Sequence, residues 1–229
     1  MIITIDGPSG TGKTTVARDL ANRLNFTYFD TGAMYRAFTW LMLERHIDIS
    51  DLAAIQNCLK EFDYKIVENQ AEKRYFVGQK DVTQAIRSQA VTQFVSEVSA
   101  LRQVRAFLLE FQYRFSENQN AVFEGRDLGT VVFPNADLKI FLDANPQARA
   151  KRRMQELLLK QPQEFKGLSK EQMLADIMRR DAYDSSRELA PLKCPSDALK
   201  IDTTDLSIDQ VVDRIVNYYF ERFPGADSL

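Results

Sequence analysis

The sequence predicts an α/β fold: a P-loop doubly wound parallel sheet with helices on both faces, plus a small inserted antiparallel sheet and a short lid. Three observations carry that expectation. Short apolar runs rich in β-branched and aromatic residues recur at "MIITI", "FTYF", "AVFE", "LKIFLD" and "ALKID", with helical periodicity between most of them, as in a parallel sheet covered on both faces. The first run leads directly into "DGPSGTGKT" at residues 6–14. In the middle of the chain the texture changes: "FDYKIVE", "RYFVG" and "KDVT" read as short alternating strands with turns at "ENQAEK" and "GQ", so residues 62–87 are expected to form the insert.

Taken in order, the first element is a buried strand, and the stretch from Thr14 to Leu24 has apolar residues at Val16, Ala17, Leu20, Ala21 and Leu24, which makes it a helix. The loop between them spaces its residues Gly7-x-x-x-x-Gly12-Lys13-Thr14. In that pattern backbone N–H groups wrap a polyphosphate, the lysine meets the terminal phosphates and the hydroxyl binds Mg²⁺. Glycine lets the backbone approach the phosphate, and the helix N-terminus adds a positive field. Gly7, Pro8, Ser9, Gly10, Thr11, Gly12, Lys13, Thr14 and Thr15 are therefore the expected residues that bind a nucleoside triphosphate, with Thr14 as the metal ligand.

Further along, "YRAFTWLMLERH" reads as a helix with the single His46 near its end, a structural position where a cation suits the helix dipole. "VSEVSALRQVRAFLLEFQYRF" reads as one long amphipathic helix returning to the core. Asn145-Pro146 is a helix start, and Ser169 to Gln172 and Ser207 to Gln210 match the capping box. The last helix carries an apolar stripe at Ile208, Val211, Val212, Ile215 and Tyr219, which is core packing. Between two arginine-rich helices lies the irregular "LLLKQPQEFKGL", and residues 150–168 are the expected lid.

At 229 residues the chain suits one sizeable domain with an insertion. Its net charge of −2 does not indicate a basic nucleic-acid-binding surface. Cys58 and Cys194 lack metal spacing, and no secretory n-region or long apolar segment precedes the loop, so a reducing cytoplasm is expected.

A phosphate-binding loop by itself leaves GTPases, transport ATPases, helicases and small-molecule kinases open. The chain has no N-K-x-D guanine-reading motif, no convincing D-x-x-G switch, and little length for a second motor domain. It has instead a second polar constellation: "FDTGAMYRA", "IRSQ", "VFEGRDLGTVVFP", "ARAKRRM" and "RRDAYDSSRELAP". Parallel strands end on one edge of the sheet, so Asp30 and Thr31, and Arg126 and Asp127, are expected at the same crevice as the loop, where a second phosphate-bearing substrate fits. Arg149 and Lys151 have the ordinary reading of a solvated helix face, and Arg179 with Asp181 that of a surface pair. These residues leave three readings standing: a nucleotide kinase, another small-molecule kinase of the same architecture (shikimate or adenylate), and a non-catalytic nucleotide-binding module that signals by conformational change.

"DGPSGTGKTT", "DTGAMYRA", "EGRDLGTVVFPNADLKIFLDA" and "RRDAYDSSRELAPL" together resemble the bacterial type of cytidylate kinase, in the same order and at similar separations. The resemblance covers nearly the whole chain, including the insert. It implies a single kinase domain over residues 1–229, with a monophosphate-binding region at about 33–105, that uses ATP and Mg²⁺ to phosphorylate CMP or dCMP. The nucleotides are then the partners, with neither nucleic acid nor membrane, and the protein is a monomer. By the same resemblance Lys13 is the phosphate lysine, Thr31, Tyr35 and Arg36 begin the monophosphate-binding helix, and Arg126 contacts phosphate while Asp127 faces the cytosine. Ser96 and Arg105 resemble the other base contacts; Arg180, Asp184 and Arg187 hold the sugar and complete the pocket; Arg152 and Arg153 are lid arginines. The catalytic set it implies is Lys13, Arg126, Arg152 and Arg153. Two positions depart from the pattern: Thr31 stands where serine is common, and Glu124 where aspartate often precedes the "GRD".

Overall fold

The computed structural model describes residues 1–69, 72–160 and 167–225. The chain divides into two compact units, residues 1–30 with 116–229, and residues 31–115. The first unit opens with β1 (Ile2–Asp6), α1 (Lys13–Leu24) and β2 (Thr27–Asp30). The second holds α2 (Thr31–Glu44), α3 (Leu52–Lys60), β3 (Tyr64–Asn69), β4 (Glu72–Val77), β5 (Lys80–Asp81), α4 (Gln89–Val98) and α5 (Arg102–Ser116). The chain then returns to the first unit with β6 (Ala121–Glu124), β7 (Leu138–Asp143), α6 (Pro146–Lys160), α7 (Lys170–Ser186), β8 (Leu199–Asp202) and α8 (Ile208–Arg222).

In the first unit all five strands are parallel, in the order β2-β6-β1-β7-β8. The chain enters the sheet at its centre, crosses to one side for β2 and β6, and to the other for β7 and β8. The carboxyl end of β1 thus lies where the crossovers diverge, the place at which open α/β sheets bind ligands. Alternation along β1 decides what each face receives. Ile3 and Ile5 are fully buried in a core with Val16 and Leu20 of α1, Val122, Ile140, Leu142 and Ile201 of the neighbouring strands, and Val212, Ile215 and Tyr219 of α8. Thr4 and Asp6 take the opposite face.

Both capping boxes form: Ser169 with Gln172 opens α7 and Ser207 with Gln210 opens α8, each with reciprocal bonds of 2.9–3.2 Å. Asn145 Oδ1 accepts from Gln147 N at 2.8 Å, so the Asn-Pro start of α6 is also real.

The second unit contains the antiparallel sheet β3-β4-β5. Its core is aromatic, with the Phe62 ring centroid 5.3 Å from that of Phe38, 5.7 Å from that of Tyr64 and 6.3 Å from that of Phe111.

Three local expectations change. The long helix expected over residues 95–115 is two helices, α4 and α5, because the chain tightens at Ser99–Leu101: Ala100 N donates to Glu97 O and Leu101 N to Val98 O, while the Ser99 carbonyl accepts from the Arg105 guanidinium at 3.2 Å. His46 lies just past α2 in the left-handed region at φ 53°; Ile47 N donates to Met42 O at 2.9 Å and His46 N to Leu43 O at 3.1 Å, a left-handed helix stop. Of the connection expected to be irregular from Leu157, residues up to Lys160 continue α6. Residues 161–166 of the expected lid, and residues 70 and 71 of the expected turn in the insert, lie outside the described residues. Among the described residues no helix is long and apolar enough to cross a membrane.

Candidate active site

Between β1 and α1 the loop runs through three glycines at positive φ: Gly7 at 148°, Gly10 at 80° and Gly12 at 90°. Close approach makes two of them obligatory. A Cβ on Gly7 would stand 2.0 Å from the Leu142 carbonyl oxygen of β7, and one on Gly10 would stand 2.8 Å from the Arg149 carbonyl oxygen of α6. Lys13 is buried, its Nζ donating to Pro8 O at 2.7 Å, and Thr11 Oγ1 donates to the same carbonyl at 3.1 Å. Thr203 Oγ1 donates to Thr11 O at 3.2 Å. The loop is therefore curled on itself at the N-terminus of α1, where free N–H groups and the helix dipole favour an anion.

The tip of the loop is clamped from outside. Arg149 is 6% exposed; its Nε donates to Ala144 O at 2.9 Å, and its Nη1 donates to Ser9 O at 3.1 Å and to the Asp181 carboxylate. Asp181 in turn accepts from Ser9 N at 3.3 Å. Both backbone polar groups of Ser9 are held by one ion pair joining α6 to α7. This corrects the solvated-face reading of Arg149 and the surface pairing of Arg179 with Asp181: Arg179 pairs with Asp176 at 2.8 Å. Lys151 is exposed, as that reading has it.

Carboxylates and arginines meet behind the loop. Register places Asp30 of β2 beside Glu124 of β6. Glu124 accepts from Tyr28 OH at 2.6 Å and is hydrogen-bonded to Thr14. Burial pushes the Glu124 carboxyl above the usual carboxylate range, the adjacent Asp30 adds to this, and Lys13 opposes it. Lys13 is driven well below the ordinary lysine value, chiefly by burial and then by the positive charge of Arg126.

Asp184, 2% exposed, gathers three arginines: Arg126 Nε at 3.3 Å, Arg187 Nη2 at 3.6 Å and Arg180 Nε at 3.9 Å. Burial, then repulsion from Arg126, pulls Arg180 down to about 10. Lys13, Thr14, Arg126, Arg180, Asp184 and Arg187 are thus one connected set. Asp127 is buried and follows Arg126 directly. Arg152 turns to the β8–α8 connection, donating to Thr203 O at 2.5 Å, Thr204 O at 3.0 Å and Thr203 Oγ1 at 3.1 Å, while Arg153 pairs with Glu156 at 2.8 Å.

The remaining sequence-predicted residues lie in the second unit. Thr31 is buried at the start of α2. Arg36 donates to Ile86 O at 3.2 Å and to Thr92 Oγ1 at 2.9 Å. The Arg105 guanidinium lies 5.9 Å from the Tyr35 ring centroid, and Ser96 Oγ has no hydrogen-bond partner among the described residues.

Sequence reasoning missed Asp6. Its carboxylate, 1% exposed, accepts from Leu128 N at 3.0 Å and Gly129 N at 2.8 Å. Burial raises its pKa from 3.8 to about 7; the two N–H bonds oppose this, Asp127 adds to it and Lys13 opposes it. The available signal was position: a carboxylate ending an otherwise apolar strand directly before the glycine loop.

A strand, a glycine-rich loop and a helix at the centre of a doubly wound sheet, with a buried lysine and converging arginines, define a P-loop kinase. The family description "Cytidylate kinase" matches residues 3–221. The chain is 52% identical over 218 residues to "Cytidylate kinase" of Protochlamydia amoebophila (strain UWE25), covering 95% of this chain and 96% of that protein. It is 46% identical over 222 residues to "Cytidylate kinase" of Halalkalibacterium halodurans, covering 97% and 98%. The chain belongs to the cytidylate kinase family. Among solved structures, an uncharacterized protein from Eubacterium ventriosum ATCC 27560 shares the fold with a TM-score of 0.50 at 15% identity, over 96% of this chain and 98% of that one.

Two expectations follow from this geometry. Arg149→Met removes the charge that holds Ser9 O and leaves Asp181 half-satisfied. It should lower stability by about 3 kcal/mol, as for a broken buried pair, and weaken ATP binding about ten-fold by loosening the loop tip; denaturant titration and equilibrium binding measure the two, and an unchanged ATP affinity would dissociate the clamp from the loop. For Asp6, the folded protein keeps a proton between pH 3.8 and about 7 that the unfolded chain has released. Stability should fall as pH rises through that window and level off above it, and Asp6→Asn should flatten this part of the profile in thermal melts from pH 5 to pH 8.

Proposed function

We propose that the chain transfers the γ-phosphoryl group of ATP to CMP or dCMP, releasing ADP and CDP or dCDP. The observation that carries the reading is the crowding of partly buried Arg126 and Arg180 about the buried Lys13 of the glycine loop: burial first, and then both arginines, lower the proton affinity of the lysine, and burial followed by Arg126 lowers that of Arg180. Phosphoryl transfer asks for this: two anions held in line, their charge neutralised and water excluded. Lys13 meets the terminal phosphates of ATP. Arg126 contacts the transferring or accepting phosphate, and Asp184 holds its guanidinium in place. Arg180, Asp184 and Arg187 take the sugar and close the nucleotide pocket. A cleft of about 460 Å³ beside the loop tip, lined by Asp143, Asn145, Arg149, Asp202, Thr204 and Asp205, receives the nucleoside of ATP.

The residues fit a magnesium ion. Asp30 and Glu124 are neighbouring carboxylates, the Glu124 carboxyl being raised first by burial and then by repulsion from Asp30, and the Thr14 hydroxyl is hydrogen-bonded to Glu124. Thr14 would ligate the ion directly, and Glu124 and Asp30 through water, as suits a cation that keeps part of its hydration shell. When bound it neutralises charge on the phosphates.

Base choice is assigned to Asp127. Cytosine presents an N4 amino donor where uracil presents an acceptor, so a carboxylate for that edge, with an arginine for O2 and N3 (Arg187, or Arg105 of the second unit), selects cytosine. On the second unit, Thr31, Tyr35, Arg36, Ser96 and Arg105 supply the remaining monophosphate contacts. Residues 150–168 act as the lid, with Arg152 and Arg153 as its arginines. The enzyme works as a monomer in the reducing cytoplasm, in keeping with the free thiols of Cys58 and Cys194.

Release of CDP from CMP and Mg·ATP in a coupled assay is the direct test, and its absence with folded protein that still binds ATP would favour a regulatory nucleotide-binding role. Asp127→Ala tests the base reading: kcat/KM for CMP should fall by about ten- to a hundred-fold, and that for UMP far less. An equal loss for both would make Asp127 an orienter of Arg126.

A further inference from the structure

Arg126 and Asp127 are slung between two attachments to β1. On one side Gly125 N donates to Ile5 O at 3.0 Å, continuing the parallel ladder one residue beyond β6. On the other, Leu128 N and Gly129 N both donate to the Asp6 carboxylate, at 3.0 and 2.8 Å. Between these anchors only two residues remain, Arg126 and Asp127. Beyond them the chain winds into a single wide π-helical turn over Leu128–Val132, in which Val131 N donates to Asp127 O at 2.9 Å and Phe133 N to Leu128 O at 2.6 Å. The carboxylate accepts the first free N–H groups of that turn, and so fixes where the turn begins.

Gly129 shows how close the contact is. A Cβ there would stand 3.0 Å from Pro195 Cγ, 3.1 Å from Thr4 Oγ1 and 3.2 Å from Lys139 Cδ. Lys139 is itself fixed by Pro134 O at 2.6 Å and by both Asp197 oxygens at 2.8 and 3.1 Å. A Cβ there would have to push Pro195, Thr4 or Lys139 aside by a few tenths of an ångström for the backbone to settle onto Asp6. No charged side chain donates to this carboxylate among the described residues; Lys13 and Asp127 act on it through space.

We propose that Asp6 is a positioning residue for nucleobase recognition: its carboxylate, by accepting the Leu128 and Gly129 N–H groups, sets the two-residue bridge that presents Asp127 to the base. The role rests on the reading of Asp127 as the cytosine-facing carboxylate. Asp6 touches no substrate and acts through the backbone.

The test uses Asp6→Asn, which keeps the shape but turns one acceptor into a donor, alongside Asp127→Ala, in the full chain. In Asp6→Asn the amides of Leu128 and Gly129 should exchange with deuterium at least about ten-fold faster, and the ratio of kcat/KM for CMP to that for UMP should drop by about ten-fold, with KM for ATP within about two-fold of the parent. A preserved ratio, or a rise in KM for ATP in its place, would overturn the proposal and make Asp6 a support for the phosphate loop. If Asp127→Ala leaves the ratio unchanged, the reading of Asp127 has failed; unchanged amide exchange in Asp6→Asn would then show separately that the carboxylate does not hold the turn. Gly129→Ala strains the same contact from the other side while leaving the carboxylate in place. Should Asp6→Asn not fold, Gly129→Ala gives the same two readouts: lost discrimination and faster exchange support the proposal, and their absence overturns it.

Discussion

Burial of positive charges against one another is the constraint on which the rest of the site depends. Lys13, Arg126 and Arg180 stand in a region where desolvation alone lowers the proton affinity of the lysine and of Arg180, and mutual repulsion lowers it further. Charge taken out of water without compensation costs several kcal/mol per ion, so such a group persists only where acids are placed to balance it. Asp184 does this for the arginines from α7, and Glu124 for Lys13 from β6. The balance is incomplete at the loop itself, where the dipole of α1 also points its positive end. A polyphosphate supplies the missing anion, and oriented donors that need not rearrange are what stabilise charge in phosphoryl transfer.

That orientation is imposed by distant parts of the chain. Gly7 rests against Leu142 O, Ser9 is held by Arg149 and Asp181, and Thr11 O accepts from Thr203. The hydrogen bonds span 140, 172 and 192 residues. A glycine-rich loop has the largest conformational freedom to lose, so local sequence cannot hold it in one form. The doubly wound sheet does, by delivering β7, α6, α7 and the end of β8 to its rim. The clamp at Ser9 also ties the loop to α6, whose later turns belong to the segment proposed as a lid, and to α7, which follows that segment.

This division explains what could be read from the sequence. Strand–loop–helix order, the three core strands after the insert, both capping boxes and the antiparallel insert all rest on local patterns, and each is present. The break at Ser99–Leu101 was not legible, because apolar periodicity survives across a three-residue tightening and the side chain that claims the Ser99 carbonyl comes from Arg105 beyond it. Arg149 and Asp181 were not legible for a different reason. Charges on amphipathic helices face water by default, and nothing local says that α6 turns this arginine toward a carbonyl 140 residues away. In the site, the phosphate loop is local and readable; the residues that hold it are long-range and are not.

Alternation at the end of β1 unites both halves of the chemistry. Register aligns Ile5 with Glu124 and Glu124 with Asp30, so the acids serving Lys13 and Thr14 point to the same face as the apolar core under α1. Asp6, one residue on, points to the other face, with Thr4 and its register partner Lys139 around Gly129. One face of the sheet therefore carries the acids beside Lys13 and Thr14, and the other carries the turn that follows Asp127. Because side-chain direction has a period of two, a slip of β1 by one residue would bury Asp6 and Thr4 under α1 and expel Ile3 and Ile5 at the same time. The hydrophobic core thus enforces the register that separates the two groups, and the same few residues that make the strand buriable also keep the acids beside Lys13 and the Leu128–Val132 turn on opposite sides of it.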